Sequence, residues 1–110
     1  MYVIVVDDEV TVARAVSRIL ASKGHNVRTV SSALECLAAV AERSPNVVLT
    51  DLEMPGMSGN QLAEALSAIN CPARTYCMTS CHETVDRTLF LDVLKKPFDA
   101  EGLSRFVASW

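Results

Sequence analysis

Tyr2-Val3-Ile4-Val5-Val6-Asp7-Asp8 decides how this chain of 110 residues is to be read. An unbroken run of aliphatic, mostly β-branched residues stops abruptly at two carboxylates. Without polar alternation, such a run reads as a strand buried on both faces, the usual state of a strand in a parallel sheet. The pattern recurs further along. Val47-Val48-Leu49-Thr50 ends at Asp51, and Leu91-Asp92-Val93-Leu94 leads to Lys96-Pro97. In open parallel sheets, ligands bind in the crevice beyond the carboxyl ends of the strands. Acids and one lysine gathered at those ends describe a small charged pocket for a divalent cation and an anion.

Outward from this stretch, apolar runs near residues 2–6, 27–30, 47–50, 74–78 and 91–94 predict five strands with helix-period segments between them. Val12, Val16, Ile19 and Leu20 form one apolar stripe, and Lys23-Gly24 supplies a stop. Ser32 with Glu35, and Ser58 with Gln61, have the spacing of a capping box. Ser80 and Glu83 repeat that spacing ahead of a fourth helix, which is short and weakly apolar. Asp99 can cap a fifth, carrying Leu103, Phe106 and Val107. The reading is an α/β chain of (βα)5 form, with right-handed crossovers and helices on both faces of a parallel sheet. Trp110 either meets a partner or folds back onto the last helix.

Half of the residues are hydrophobic and 21% are charged, so a packed globule forming one domain over residues 1–110 is expected. The net charge of -3, without any Lys/Arg-rich run, argues against direct nucleic-acid binding. No apolar stretch approaches the roughly 20 residues that cross a bilayer, so no membrane association is expected. The start of the chain lacks a charged leader, which makes the cytoplasm the expected location. Cys36, Cys71, Cys77 and Cys81 contain no CxxC pair and match no common zinc spacing, so reduced structural thiols are expected.

Val5-Val6-Asp7-Asp8-Glu9, Leu49 to Gly59 (LTDLEMPGMSG), Met78-Thr79-Ser80 and Lys96-Pro97-Phe98 together resemble the receiver domain of two-component response regulators. The resemblance covers essentially the whole chain. It implies a flavodoxin-like sheet of order 2-1-3-4-5 and Mg²⁺ as cofactor, with Asp8 and Asp51 as direct ligands. Asp7 would bind mainly through water, and the backbone carbonyl of Glu53 would complete the protein ligands. It further implies that Asp51 is the nucleophile receiving a phosphoryl group from a sensor histidine kinase or a histidine phosphotransfer protein. Lys96 would supply positive charge, Thr79 a hydroxyl donor, and the Lys96–Pro97 peptide would be cis. The chemistry is reasonable in its own right. Carboxylates about 4–6 Å apart repel by a few kcal/mol per pair at an effective dielectric near 20, and a hard divalent cation with oxygen ligands relieves that.

The chain also departs from the family. The interval from Thr79 to Lys96 is several positions short, so the fourth helix must be shortened. Val93 stands where the family commonly has Tyr or Phe, with Phe90 as a candidate substitute, so an atypical output surface is expected. Glu53 and Cys81 border the expected path of a hydrolytic water, and the Glu53 carboxylate is expected to alter phosphoryl lifetime. Rival readings are a constitutive receiver-like protein-interaction module without switching, and, more weakly, a Mg²⁺-dependent phosphohydrolase. The output domain or protein is unknown from sequence, and a homodimer through the fourth and fifth helices is left open.

Overall fold

The structure, a computed structural model, describes residues 1–110. Its elements follow in the order β1 (Tyr2–Val6), α1 (Val10–Ser22), β2 (Asn26–Val30), α2 (Ala33–Glu42), β3 (Val47–Asp51), α3 (Gly59–Ala68), β4 (Arg74–Thr79), a 3-10 turn (His82–Thr84), β5 (Val93–Lys95) and α4 (Ala100–Val107). The strands form one sheet of order β2-β1-β3-β4-β5, and each neighbouring pair is parallel. Both the strand order and the doubly covered sheet match the sequence expectation. No helix is long and apolar enough to cross a membrane.

The uninterrupted apolar runs are explained by burial on both sides. Every residue of β1 and β3 is buried. Alternate side chains go to opposite faces. Ile4, Val6 and Val48 pack with Cys36, Ala39, Leu62 and Leu66 of α2 and α3. Val3, Val5, Val47 and Leu49 pack with Val16 and Leu20 of α1 and with Leu103 and Val107 of α4. Edge strand β2 buries only Val30, which is why its sequence tolerates Asn26, Arg28 and Thr29.

The caps behave largely as their sequences predict. At α3, Ser58 Oγ accepts from the Gln61 N–H while the Gln61 side chain accepts from the Ser58 N–H, a complete box. At α2, Ser32 Oγ accepts from the Glu35 N–H, but Glu35 reaches back to Ser31 instead of Ser32. Asp99 caps α4 through the Gly102 N–H. Trp110 folds back, with its ring stacked at 5.1 Å on Tyr76 and edge-on to Phe106. Of the four cysteines, all unpaired, Cys36 and Cys77 are buried.

The largest local difference lies between β4 and β5. The Ser80–Glu83 signal predicted a short helix, and the chain instead makes a single 3-10 turn followed by irregular backbone. The turn takes Cys81 as its capping position, with no side-chain cap. The segment has too few apolar residues for a helical stripe, and it lays down one large side chain, Phe90, against Leu52, Ala63 and Cys77. The last strand accordingly starts at Val93 instead of Leu91, and Leu91 is 64% exposed. Its N–H still reaches the Thr75 carbonyl, so β4 keeps a backbone partner there.

One glycine is required by contact. At the start of α3, a Cβ on Gly59 would lie 2.5 Å from the Asp51 carbonyl oxygen and 2.9 Å from Leu52 Cα, both backbone atoms. The Gly59 N–H donates to the Leu52 carbonyl at 2.7 Å, which draws the helix onto the end of β3. Gly59→Ala is therefore expected to lower the unfolding free energy by about 2 kcal/mol, although alanine ordinarily favours a helix. Urea denaturation tests this, and an unchanged midpoint would show that the contact relaxes freely.

Candidate functional site

Strand ends deliver every polar group of the site to one edge of the sheet. Asp7 and Asp8 follow β1, Asp51 closes β3, Thr79 closes β4, and Lys96 lies one residue past β5. Pairing aligns these ends, since Asp51 is in register with Met78 and Thr79 with Lys95. The Lys96 N–H donates to the Thr79 carbonyl at 2.9 Å, and the Lys96–Pro97 peptide is cis.

Asp7 is 1% exposed, Asp51 6% and Thr79 1%, whereas Asp8 is open to solvent. One carboxylate oxygen from each of Asp7, Asp8 and Asp51 lies within 4.8 Å of the other two. Lys96 Nζ donates to Asp7 Oδ2 at 2.9 Å and stands 3.4 Å from Asp51 Oδ2. Exposed Glu9, which sequence reasoning did not single out, reaches within 3.9 Å of the same ammonium. The other Asp7 oxygen accepts from the Glu9 N–H. Thr79 Oγ1 accepts from the Cys81 N–H at 2.8 Å and keeps its own hydrogen available to donate.

Electrostatics follow from burial and crowding. Burial raises the Asp51 carboxyl to about 6; the Asp7 charge adds to the rise, and Lys96 with the Glu53 backbone pulls against it. Burial alone would lower Lys96, but its hydrogen bond to Asp7 and the charges of Asp51 and Asp7 raise it. The pocket thus sets three acids against one partly buried ammonium. Such a donor set, all oxygen and short of positive charge, fits a hard divalent cation. Glu53 is exposed and its carboxylate is not one of the three grouped acids. It lies beside Cys81, where it raises the thiol above its ordinary value.

A family search fits this geometry: the response regulator receiver domain matches residues 3–108. The chain belongs to that family. Among relatives, the DNA-binding transcriptional regulator NtrC of Salmonella typhimurium is 32% identical over 103 residues, covering 88% of this chain and 22% of that protein. The DNA-binding response regulator MtrA of Mycobacterium tuberculosis is 31% identical over 106 residues, covering 92% of this chain and 46% of that protein. The receiver thus spans less than half the length of these relatives. Among solved structures, the chemotaxis response regulator CheY4 of Vibrio cholerae superposes with a TM-score of 0.89 at 25% identity, covering 98% of this chain and 96% of that one. A receiver domain protein from Clostridium thermocellum is 28% identical with a TM-score of 0.82, covering 94% and 88%. This receiver is a signalling domain of the two-component type, and its acidic cluster fits the phosphoacceptor site of the family.

The raised Asp51 carboxyl has a sign that can be tested. Its folded value, about 6, exceeds the ordinary 3.8, so the native state holds that proton more tightly than the unfolded chain. The associated stability is complete below the ordinary value and is lost as the pH rises through about 6. In buffer free of divalent cations, Asp51→Asn should therefore stabilise the receiver at pH 7 by on the order of 2 kcal/mol. The gain should shrink toward zero at acid pH. Thermal unfolding across that range checks it, and a destabilised or pH-independent variant contradicts it.

Proposed function

We propose that this receiver accepts a phosphoryl group on Asp51 from a phosphohistidine donor, a sensor histidine kinase or a histidine phosphotransfer protein, and acts as a cytoplasmic signalling switch. The observation carrying this reading is the convergence of Asp7, Asp8 and Asp51 within 4.8 Å, with Lys96 Nζ 3.4 Å from Asp51 Oδ2. Capping alone would not require three acids and a lysine from separate strand ends to meet.

In the reading, a carboxylate oxygen of Asp51 attacks phosphorus as the phosphorus–nitrogen bond of the donor breaks, leaving an acyl phosphate on Asp51 and a neutral histidine on the donor. Asp7, Asp8 and Asp51, with the Glu53 carbonyl, would hold Mg²⁺, and the carboxylates present suit it by charge and hardness. When bound, Mg²⁺ neutralises charge on the transferring group. Lys96 is positioned by Asp7 to pair with a phosphoryl oxygen, and partial burial strengthens that interaction over its value in open water. Thr79 turns its free hydroxyl hydrogen toward another oxygen while still accepting from Cys81. Hydrolysis of the acyl phosphate returns Asp51 to a carboxylate, so the domain catalyses only its own loading and clearing. NtrC and MtrA are described as DNA-binding, but this chain matches only part of each. Its own output is proposed to be a separate domain or protein, with no direct nucleic-acid or membrane contact.

Beryllium fluoride with Mg²⁺, a phosphoryl mimic, should shift the amide resonances of the receiver around Asp51 and Thr79. Asp51→Asn should abolish the response, and Lys96→Ala should weaken mimic affinity by about tenfold or more, the loss of one charge-assisted hydrogen bond. A phosphoryl label retained on Asp51→Asn would reject the assignment. Mg²⁺ binding with no mimic response would favour the constitutive interaction module, a reading to which the missing fourth helix lends weight.

A further inference from the structure

The segment that replaces the fourth helix has an unusual dependence on its neighbour. A helix satisfies its own backbone, whereas irregular chain must find partners elsewhere. Here two of the partners, both reaching across to the segment from α3, belong to one side chain. Asn60 Nδ2 donates to the Thr84 carbonyl at 2.8 Å, and Asn60 Oδ1 accepts from the Asp86 N–H at 3.1 Å. The far end is tied to β4, where the Leu91 N–H meets the Thr75 carbonyl and the Cys77 N–H meets the Asp92 carbonyl. Between these ties the segment is mostly exposed, and only Phe90 is buried. Phe90 closes over Leu52, Ala63 and Cys77, and Cys77 is wholly buried.

The near end is tied to the site. Thr79 Oγ1 accepts from the Cys81 N–H, and Thr84 Oγ1 donates to the Cys81 carbonyl at 3.2 Å. Thr84 is also the residue whose carbonyl Asn60 holds. A second route is packing, because Leu52 follows Asp51 directly and lies in the same cluster as Phe90. The bonds from Thr79 through Cys81 and Thr84 to Asn60 thus form one continuous chain, so a displacement of Thr79 bears on the clasp.

We infer that residues 80–92 form a strap latched by Asn60, and that phosphorylation of Asp51 releases the latch and uncovers the apolar patch beneath Phe90. The inference rests on the phosphoacceptor reading for its trigger, while the latch itself rests on geometry alone. Few buried contacts and a single polar clasp are what a locally opening segment requires. Linkage makes the effect reciprocal, so weakening the clasp must strengthen binding of a phosphoryl mimic.

Cys77 is a built-in reporter. Alkylation of the full chain by iodoacetamide, followed by mass spectrometry of each cysteine peptide, compares Cys77 with Cys36, which is buried under α2 in a different cluster. Asn60→Ala should speed labelling of Cys77 relative to Cys36 by about tenfold or more, the loss of two backbone-directed hydrogen bonds, with little change in thermal midpoint. Asn60→Asp, which keeps the acceptor for Asp86 but loses the donor to Thr84, should fall between. Equal Cys77 rates in wild type and Asn60→Ala overturn the latch. Mg²⁺ with beryllium fluoride should speed Cys77 labelling in wild type but not in Asp51→Asn, and should bind Asn60→Ala more tightly. A mimic that binds at Asp51 yet leaves Cys77 labelling unchanged or slower overturns the coupling. A mimic that does not bind at all overturns the phosphoacceptor trigger and leaves the latch result standing on the Asn60 variants.

Discussion

Three carboxylates held around one partly buried ammonium are the constraint on which the rest of this receiver depends. Lys96 is bonded to Asp7 and lies close to Asp51, yet one positive charge cannot neutralise three acids. Removing such charges from water costs more than the pair returns unless the geometry is good and further partners arrive. The site is therefore an unfavourable arrangement that the surrounding fold must hold. The raised Asp51 carboxyl records that cost.

The scaffold that holds the acids is the doubly covered sheet. Strands β1 and β3 are gripped by core on both faces, so the carboxylates at their ends have little freedom to move apart. Gly59 contributes in a less visible way, letting the first turn of α3 approach the carbonyl of Asp51 more closely than any side chain would allow. The loop between them keeps its complete capping box, so the helix start is defined by local bonds as well as by packing. Rigid strand ends on one side of the site then face a lightly anchored segment on the other.

That asymmetry changes how the absent helix is understood. The connection between β4 and β5 covers the sheet face without a helix, because Phe90 packs over Cys77 and Leu52. Val93, on the edge strand, packs against the same cluster as an ordinary half-buried aliphatic. The large ring of this cluster sits on the segment before the strand, where it packs with Leu52, the residue after Asp51. The connection loses self-sufficient backbone hydrogen bonding and comes to rely on Asn60.

The sequence by itself determined the sheet, its five strands and the residues that meet at its edge, because a run of buried aliphatics ending in an acid has few other physical meanings. Asp7, Asp8 and Asp51 were legible for that reason, Lys96 from its place after the last apolar run, and Thr79 through the family resemblance; the caps at Ser58 and Asp99 were legible because their partners lie within three residues. Ser80 and Glu83 carried the same local signal and failed, since a cap cannot sustain a helix that has no apolar stripe to bury. Glu9 beside Lys96, the steric need for Gly59, the seating of Phe90 and the clasp of Asn60 were decided only by tertiary structure. Each depends on groups far apart in the chain being brought within a few ångströms, and no local pattern encodes that distance.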